Sequence, residues 1–151
     1  MRSFEVKLEG TEKAIVETNK GNFWIELYSK DAPNTVSNFI RLGESGFYDG
    51  LTWHRYVEGF VIQGGDPTGT GMGDPGYTID FEENERVHET GAVGMARKPD
   101  INSASCQFYI ALNPLPQLDG KYCVFGIVTE GMDAVRQLRA ADTILRIEVV
   151  R

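Results

Sequence analysis

Cysteine is nearly absent: Cys106 and Cys123 are two residues in 151. They form neither a CxxC pair nor a metal-ligand spacing, which excludes a zinc module or a dithiol redox centre. No apolar run approaches the roughly 18 residues of a membrane span, so no membrane partner is expected. Met1 to Gly10 lacks the apolar centre of a signal peptide. Two reduced, buried thiols in a cytoplasmic protein are therefore expected rather than a disulfide. Basic residues are also in deficit, 15 against 22 acids, for a net charge of −7. A nucleic-acid partner rewards a basic face that displaces phosphate counterions, so none is expected here. Linkers, internal repeats and low-complexity segments are missing too, and residues 1–151 are read as one domain. At this length a chain buries about 68–70% of its unfolded surface and needs no metal or disulfide to fold.

Glycine is abundant, 17 residues, which points to many tight turns and leans toward a β-rich chain. Phe4, Val6 and Leu8 alternate with polar neighbours, so residues 1–12 read as an N-terminal extension carrying an added strand. Ala14 to Thr18, the turn Asn19-Lys20-Gly21-Asn22, and alternating Phe23, Ile25 and Leu27 predict a hairpin. A helix follows, with Asp31 as the capping carboxylate and Pro33 in its first turn. Val36, Phe39 and Ile40 share its apolar face, and Gly43 and Gly46 end it. Strand-length runs recur at Trp53 to Val57, Phe60 to Gln63, Ala92 to Ala96, Gln107 to Leu112, Cys123 to Thr129 and Ile144 to Val150. A second helix is expected from Met132 to Arg139. Eight strands and two helices fit a mainly β fold, a closed eight-stranded antiparallel barrel capped by two α-helices, with a sandwich as the next choice.

The densest stretch is Trp53-His54-Arg55-Tyr56-Val57-Glu58-Gly59-Phe60-Val61-Ile62-Gln63-Gly64-Gly65-Asp66. Strand alternation sends Trp53, Arg55 and Val57 one way and His54 and Tyr56 the other. Arg55 has two readings. Its stem can pack while its head reaches solvent, or its guanidinium can be fixed beside an apolar pocket with Gln63 orienting it.

This stretch resembles the cyclophilin family of peptidyl-prolyl cis/trans isomerases, with its F-H-R-x-x-x-G-F-x-x-Q-G-G-D pattern. The resemblance runs on through Gly69-Thr70-Gly71-Met72-Gly73, Phe81-Glu82-Glu83-Asn84, Gly94-Met95-Ala96, Ser103 to Ile110 and Leu118 to Gly126. It covers about residues 13–151 in the family's order. It implies a substrate groove on the outer face of the barrel. The catalytic positions would be Arg55, Phe60 and Gln63. Substrate binding would fall to Val61, Ala96, Arg97, Gln107, Tyr109, Gln117, Leu118 and Tyr122. It implies proline-containing peptides and unfolded proteins as partners, no cofactor and no metal, and a monomer is expected.

Those residue types suit the reaction. Amide resonance resists X–Pro rotation by about 18–20 kcal/mol, so the bond turns over in tens to hundreds of seconds. Reaching an ordinary enzyme rate takes roughly 10³–10⁵-fold acceleration, or about 4–7 kcal/mol. No covalent bond changes, so neither nucleophile nor base is required. A twisted amide localises its nitrogen lone pair, and a charged donor binds that form better than either planar state. Arg55 is the candidate donor. Phe60, Tyr109 and Leu118 would form the proline socket, with Val61 at its edge. Each has a plainer reading: Phe60 and Leu118 as core, Gln63 and Gln107 satisfying backbone groups, His54 as structural. His88 reads as solvated in a loop, and Asp80, Glu82, Glu83 and Glu85 as a solvated acidic face.

Several positions depart from the family pattern. Gln117 stands where many eukaryotic members carry tryptophan, Tyr122 where they carry histidine, Tyr109 for phenylalanine and Arg97 for asparagine. Losing the tryptophan predicts weaker binding of cyclosporin-like macrocycles, while Tyr122 keeps an aromatic wall. The expected function is X–Pro isomerisation during protein folding. Two alternatives remain: a non-catalytic proline-peptide binding module, and a hollow barrel carrying a lipophilic ligand.

Overall fold

The computed structural model describes residues 8–151. The elements are β1 Lys13–Thr18, β2 Gly21–Leu27, α1 Pro33–Glu44, β3 Arg55–Val57, β4 Val61–Gly64, β5 Ala92–Met95, β6 Phe108–Ala111, β7 Val124–Glu130, α2 Met132–Gln137 and β8 Ile144–Val150. A 3-10 turn at Pro116–Leu118 joins β6 to β7. The strand read at Phe4 to Leu8 falls, except for Leu8, outside the described residues, and residues 8–12 form no strand. Period-2 alternation places the early strands: Ala14, Val16, Phe23 and Ile25 are fully buried, while Trp24 between them is half-buried.

All eight strands lie in one antiparallel sheet, in the order β3-β4-β6-β5-β7-β2-β1-β8. The expected closed barrel is not formed. β3 and β8 are the two ends of the order and share no ladder, so the sheet is an open half-barrel. Among the described residues one isolated bridge, Thr52 with Thr143, spans the seam. Backbone bonds beside it run from Trp53 N–H to the Asp142 carbonyl and from Ile144 N–H to the Leu51 carbonyl, 2.8 and 2.7 Å. The reason is local. β3 is three residues long, and the chain entering β8 turns through Ala141 at φ 77°, so the two ends meet only at their tips.

The concave side is filled. Phe23, Phe39, Trp53, Phe108 and Phe125 are fully buried there. Phe39 and Phe125 have ring centroids 5.2 Å apart, and Phe39 and Phe108 meet edge-on at 5.4 Å. These rings occupy the space a lipophilic ligand would need. Trp53 belongs to this core, not to the face of Arg55. β3 begins only at Arg55, so strand alternation does not extend back to residue 53.

Helix α1 packs against β8, and α2 against β2. Gly43 does not end α1 but sits inside it, where a Cβ would lie 3.4 Å from Ile147 Cγ2. Pro33 occupies the first turn as its missing N–H allows, but Asp31 is not the cap. Glu82 reaches from a distant loop: Oε2 accepts the Asn34 N–H at 3.1 Å, and Oε1 accepts both the Thr35 N–H and hydroxyl at 2.7 Å. Asp31 instead pairs with Arg86 at 2.9 Å, and that guanidinium lies 3.8 Å over the Tyr28 ring. Glu82 thus leaves the solvated acidic face that the sequence suggested. No helix among the described residues is long and apolar enough to cross a membrane.

A carboxylate that caps two N–H groups and faces the positive end of the helix contributes about 1–2 kcal/mol. Glu82→Ala is expected to lower the thermal midpoint by roughly 2–8 °C. A calorimetric midpoint equal to wild type would show that the cap does not hold α1.

Candidate functional site

The convex side of β4, β6 and β5 carries a second apolar cluster, so these strands are covered on both faces. Phe108 and Ile110 of β6 enter the main core, while Tyr109 and Ala111 enter the outer cluster with Val61, Leu115 and Val124. An open cavity of about 580 Å³ lies above that cluster. It is lined by Arg55, Phe60, Val61 and Gln63 from β3 and β4, and by Ala96, Arg97, Tyr109, Leu118 and Tyr122 opposite. These are nine of the eleven residues singled out in the sequence. Gln107 stands behind the wall, in the adjoining hollow with Gly73 and Ser103. Gln117 is exposed and does not line the cavity.

Strand register explains how distant residues meet. Arg55 pairs with Gln63, Gln63 with Tyr109, and Tyr109 with Gly94, so one row crosses β3, β4, β6 and β5 on the convex face. The row works because Gly94 has no side chain: a Cβ there would overlap the Tyr109 ring and hydroxyl. Tyr109 can therefore lie flat across β5, 4% exposed. Burial pushes its phenol well above the usual range.

A chain of side-chain hydrogen bonds follows the same direction. Arg55 Nη1 donates to Gln63 Oε1 at 3.3 Å, and Gln63 Nε2 donates to Gln107 Oε1 at 3.1 Å. Gln107 Nε2 then donates to the carbonyls of Gly71 and Gly73 at 3.0 and 3.1 Å. Gln107 thus satisfies loop carbonyls and presents its oxygen to Gln63 at once. Arg55 combines both sequence readings, since its side chain is exposed to the cavity yet bonded to Gln63.

The loop at Gly71 and Gly73 is itself folded around Asp66, 1% exposed. That carboxylate accepts the Thr68 N–H and hydroxyl, each at 2.8 Å, and the Gly71 N–H. Burial would raise its pKa, but the bonds from Thr68, Gly73 and Gly71 outweigh it and hold it down to about 2. Gly73 is required by this carboxylate, with which a Cβ would collide. His54, expected to be only structural, lines the cavity. Burial lowers its pKa against the opposing pull of Asp66.

The aromatic wall is braced from outside. Tyr122 meets Tyr109 edge-on, with centroids 6.0 Å apart, and the Arg97 guanidinium lies 4.7 Å from the Tyr122 ring centroid. Arg97 Nε and Nη2 donate to the Lys121 carbonyl at 3.1 and 2.6 Å, and Nη1 to those of Lys98 and Pro99 at 2.9 and 3.3 Å. Its side chain is therefore committed to the wall. The residue that sequence reasoning missed is His88. It is not solvated but 2% exposed, with Nε2 2.7 Å from the Tyr109 hydroxyl and Nδ1 2.8 Å from Asp119. The one signal available was a tyrosine in place of phenylalanine, whose buried hydroxyl needs a partner. Among the described residues no three of His, Cys, Asp and Glu come together as a metal site. The site offers an oriented cation at the lip of an apolar socket, the means to grip a small ring while stabilising a developing lone pair.

Residues 13–149 match the family of cyclophilin type peptidyl-prolyl cis-trans isomerases. A peptidyl-prolyl cis-trans isomerase of Synechococcus elongatus is 46% identical over 140 residues, covering 91% of this chain and 96% of that protein. Peptidyl-prolyl cis-trans isomerase B of Bacillus subtilis is 47% identical, covering 82% and 87%. A crystal structure of a Cryptosporidium parvum cyclophilin type isomerase in the presence of the dipeptide Ala-Pro superposes with a TM-score of 0.87 at 31% identity, covering 92% and 99%.

Asp66 makes stability depend on pH in a defined sense. Its folded pKa of about 2 lies below the ordinary 3.8, so the ionised form stabilises the fold above about pH 4. That contribution, about 2 kcal/mol, is lost as pH falls from 4 to 2. Asp66→Asn is expected to lower stability at pH 7 and to flatten this part of the urea-midpoint profile. Parallel profiles for the two proteins would assign the acid transition elsewhere.

Proposed function

The chain belongs to the cyclophilin-type peptidyl-prolyl cis-trans isomerases, and from that premise we propose that Arg55 drives its catalysis of X–Pro rotation without covalent chemistry. In this reading the proline ring sits among Phe60, Tyr109 and Leu118, with Val61 at the edge and Tyr122 as the far wall. Backbone groups at Ala96 and Arg97 hold the extended peptide. The planar amide offers Arg55 little, because its nitrogen lone pair is delocalised. As the bond twists, the lone pair localises and the guanidinium donates to it, so the bond strengthens only toward the transition state. The observation that carries the reading is the row Arg55–Gln63–Tyr109, in which β4 lies between the strands of the oriented donor and the floor residue and Gln63 bonds the donor.

One charge-assisted hydrogen bond contributes about 1.5–3 kcal/mol. Of the roughly 4–7 kcal/mol needed, the remainder falls to holding the proline side still while the other side turns. The clients are proline-containing segments of flexible or unfolded chains. The protein would act as a single domain and a monomer, and its two free, buried cysteines suit a reducing cytoplasm. Cyclosporin-like macrocycles would bind weakly, since Gln117 offers neither the surface nor the N–H of an indole.

Exchange NMR on an Ala-Pro peptide tests the mechanism. Wild type should accelerate interconversion, and Arg55→Ala should lose about 10- to 150-fold in kcat/KM. Equal rates would remove Arg55 from the mechanism, and a wild type that binds without acceleration would leave a proline-peptide binding module. For the macrocycle, Gln117→Trp should tighten cyclosporin binding measured by calorimetry; an unchanged Kd would show that position 117 does not limit it.

A further inference from the structure

We propose that His88, backed by Asp119, is a positioning residue that fixes both the floor and one wall of the proline socket. The inference rests on the isomerase reading for the identity of the socket, but its geometry stands apart from catalysis. Asp119 Oδ1 accepts the His88 backbone N–H at 2.7 Å and lies 2.8 Å from Nδ1. A carboxylate can only accept, so Nδ1 carries the proton. In the neutral ring that leaves Nε2 as an acceptor, and the Tyr109 hydroxyl donates to it at 2.7 Å. The two rings are also nearly parallel, 9° apart with centroids 5.8 Å apart.

His88 therefore holds Tyr109 by its tip, with its own ring nearly parallel to the Tyr109 ring. With Tyr122 edge-on from the other side and bare Gly94 beneath, the Tyr109 ring has one place to lie. The same residue ties down the wall. The His88 carbonyl accepts the Leu115 N–H at 2.8 Å, and Asp119 follows Leu118 directly, so the turn bearing Leu118 is bonded to His88 at both ends. Floor and wall are spaced by one residue, its backbone and side chain bonding the wall, its ring bonding the floor, and none of it lining the cavity. An ordinary core histidine would explain the burial, but not why its bonds converge on the two sides of one socket.

A positioning role predicts a particular kinetic split. Loosening the socket weakens proline binding, which raises KM, and lets the ring shift while the bond turns, which lowers kcat by a smaller factor. His88→Leu should raise KM, and the Kd of an Ala-Pro tetrapeptide by NMR titration, about five- to twentyfold, and lower kcat about two- to fivefold. Tyr109→Phe breaks the same bond while keeping every apolar contact, and should raise Kd in the same direction. The double variant should be no worse than the poorer single one, because both remove one interaction. Aromatic NMR reads the coupling without peptide: Tyr109 ring flipping should be slow in wild type and faster in His88→Leu. Should His88→Leu not fold, Tyr109→Phe alone decides. Wild-type Kd in either folded variant, losses that multiply in the double, or unchanged ring flipping would overturn the proposal. A wild type that binds peptide without accelerating exchange would fell the isomerase reading instead, and the Kd series would still judge His88.

Discussion

The site depends on β6 being buried on both faces. A strand in a half-barrel need only hide its concave side, and Phe108 and Ile110 do that against Phe39, Tyr48 and Trp53. Its convex side carries Tyr109 and Ala111, which are equally buried, so the outer face must be roofed by something other than sheet. Loops supply the roof: the turn with Leu115 and Leu118, the segment at Tyr122, and the strand entrance at Phe60. Loops cannot pack as continuously as a second sheet, because their backbone groups must find partners among themselves. The gap they leave is the groove. Its position follows from β6 lying between β4 and β5, near the β3 end of the sheet, not from any special property of the loops.

That origin explains why so much of the surrounding sequence is committed to bracing. Asp66 folds the loop whose Gly71 and Gly73 carbonyls fix Gln107, which fixes Gln63, which orients Arg55. Arg97 gathers the carbonyls of Lys98, Pro99 and Lys121 and covers Tyr122. Each bond is modest in net energy, about 1 kcal/mol. Their value is geometric: a guanidinium on a flexible stem loses conformational freedom when it holds one position, and the glutamine relay restricts it before substrate arrives.

Legibility in the sequence tracked the range of the interactions. Alternating Ala14, Val16, Phe23 and Ile25 and Pro33 in the first turn of α1 are local signals, and those residues stand where the sequence put them; the turn read at Asn19 to Asn22 narrows to Asn19–Lys20, because Gly21 and Asn22 open β2. Most strand boundaries moved by one or two residues, and the later start of β3, at Arg55, sends Trp53 into the core rather than beside Arg55. Open versus closed sheet was not legible, because it turns on whether two three-dimensional ends meet squarely. The capping of α1 by Glu82, 47 residues from Thr35, has no local trace, and the nearer Asp31 was the natural but incorrect choice. Most groove residues could be named only because a resemblance carried them; their spacing alone left Phe60 and Leu118 as core. His88 had neither aid. A histidine among Arg86, Val87 and Glu89 looks solvated until the fold brings up Tyr109 and Asp119.

The departures from the common family pattern are coupled rather than separate. Tyr109 in place of phenylalanine puts a hydroxyl where only buried space exists, and His88 meets it. Tyr122 in place of histidine removes an imidazole from the wall but supplies an aromatic edge to Tyr109 and a face to Arg97. Arg97 in place of asparagine is what can reach that face while bonding three carbonyls. Where an indole at position 117 would close the rim by bulk, this chain stiffens its wall by a connected run: Asp119, His88, Tyr109, Tyr122, Arg97. For a reaction in which most of the barrier reduction must come from gripping one half of a peptide while the other turns, stiffness in the wall does what a larger contact surface would do elsewhere. Macrocycle affinity, which depends on contact area, and catalysis, which depends on immobilising one ring, need not change together in such a groove.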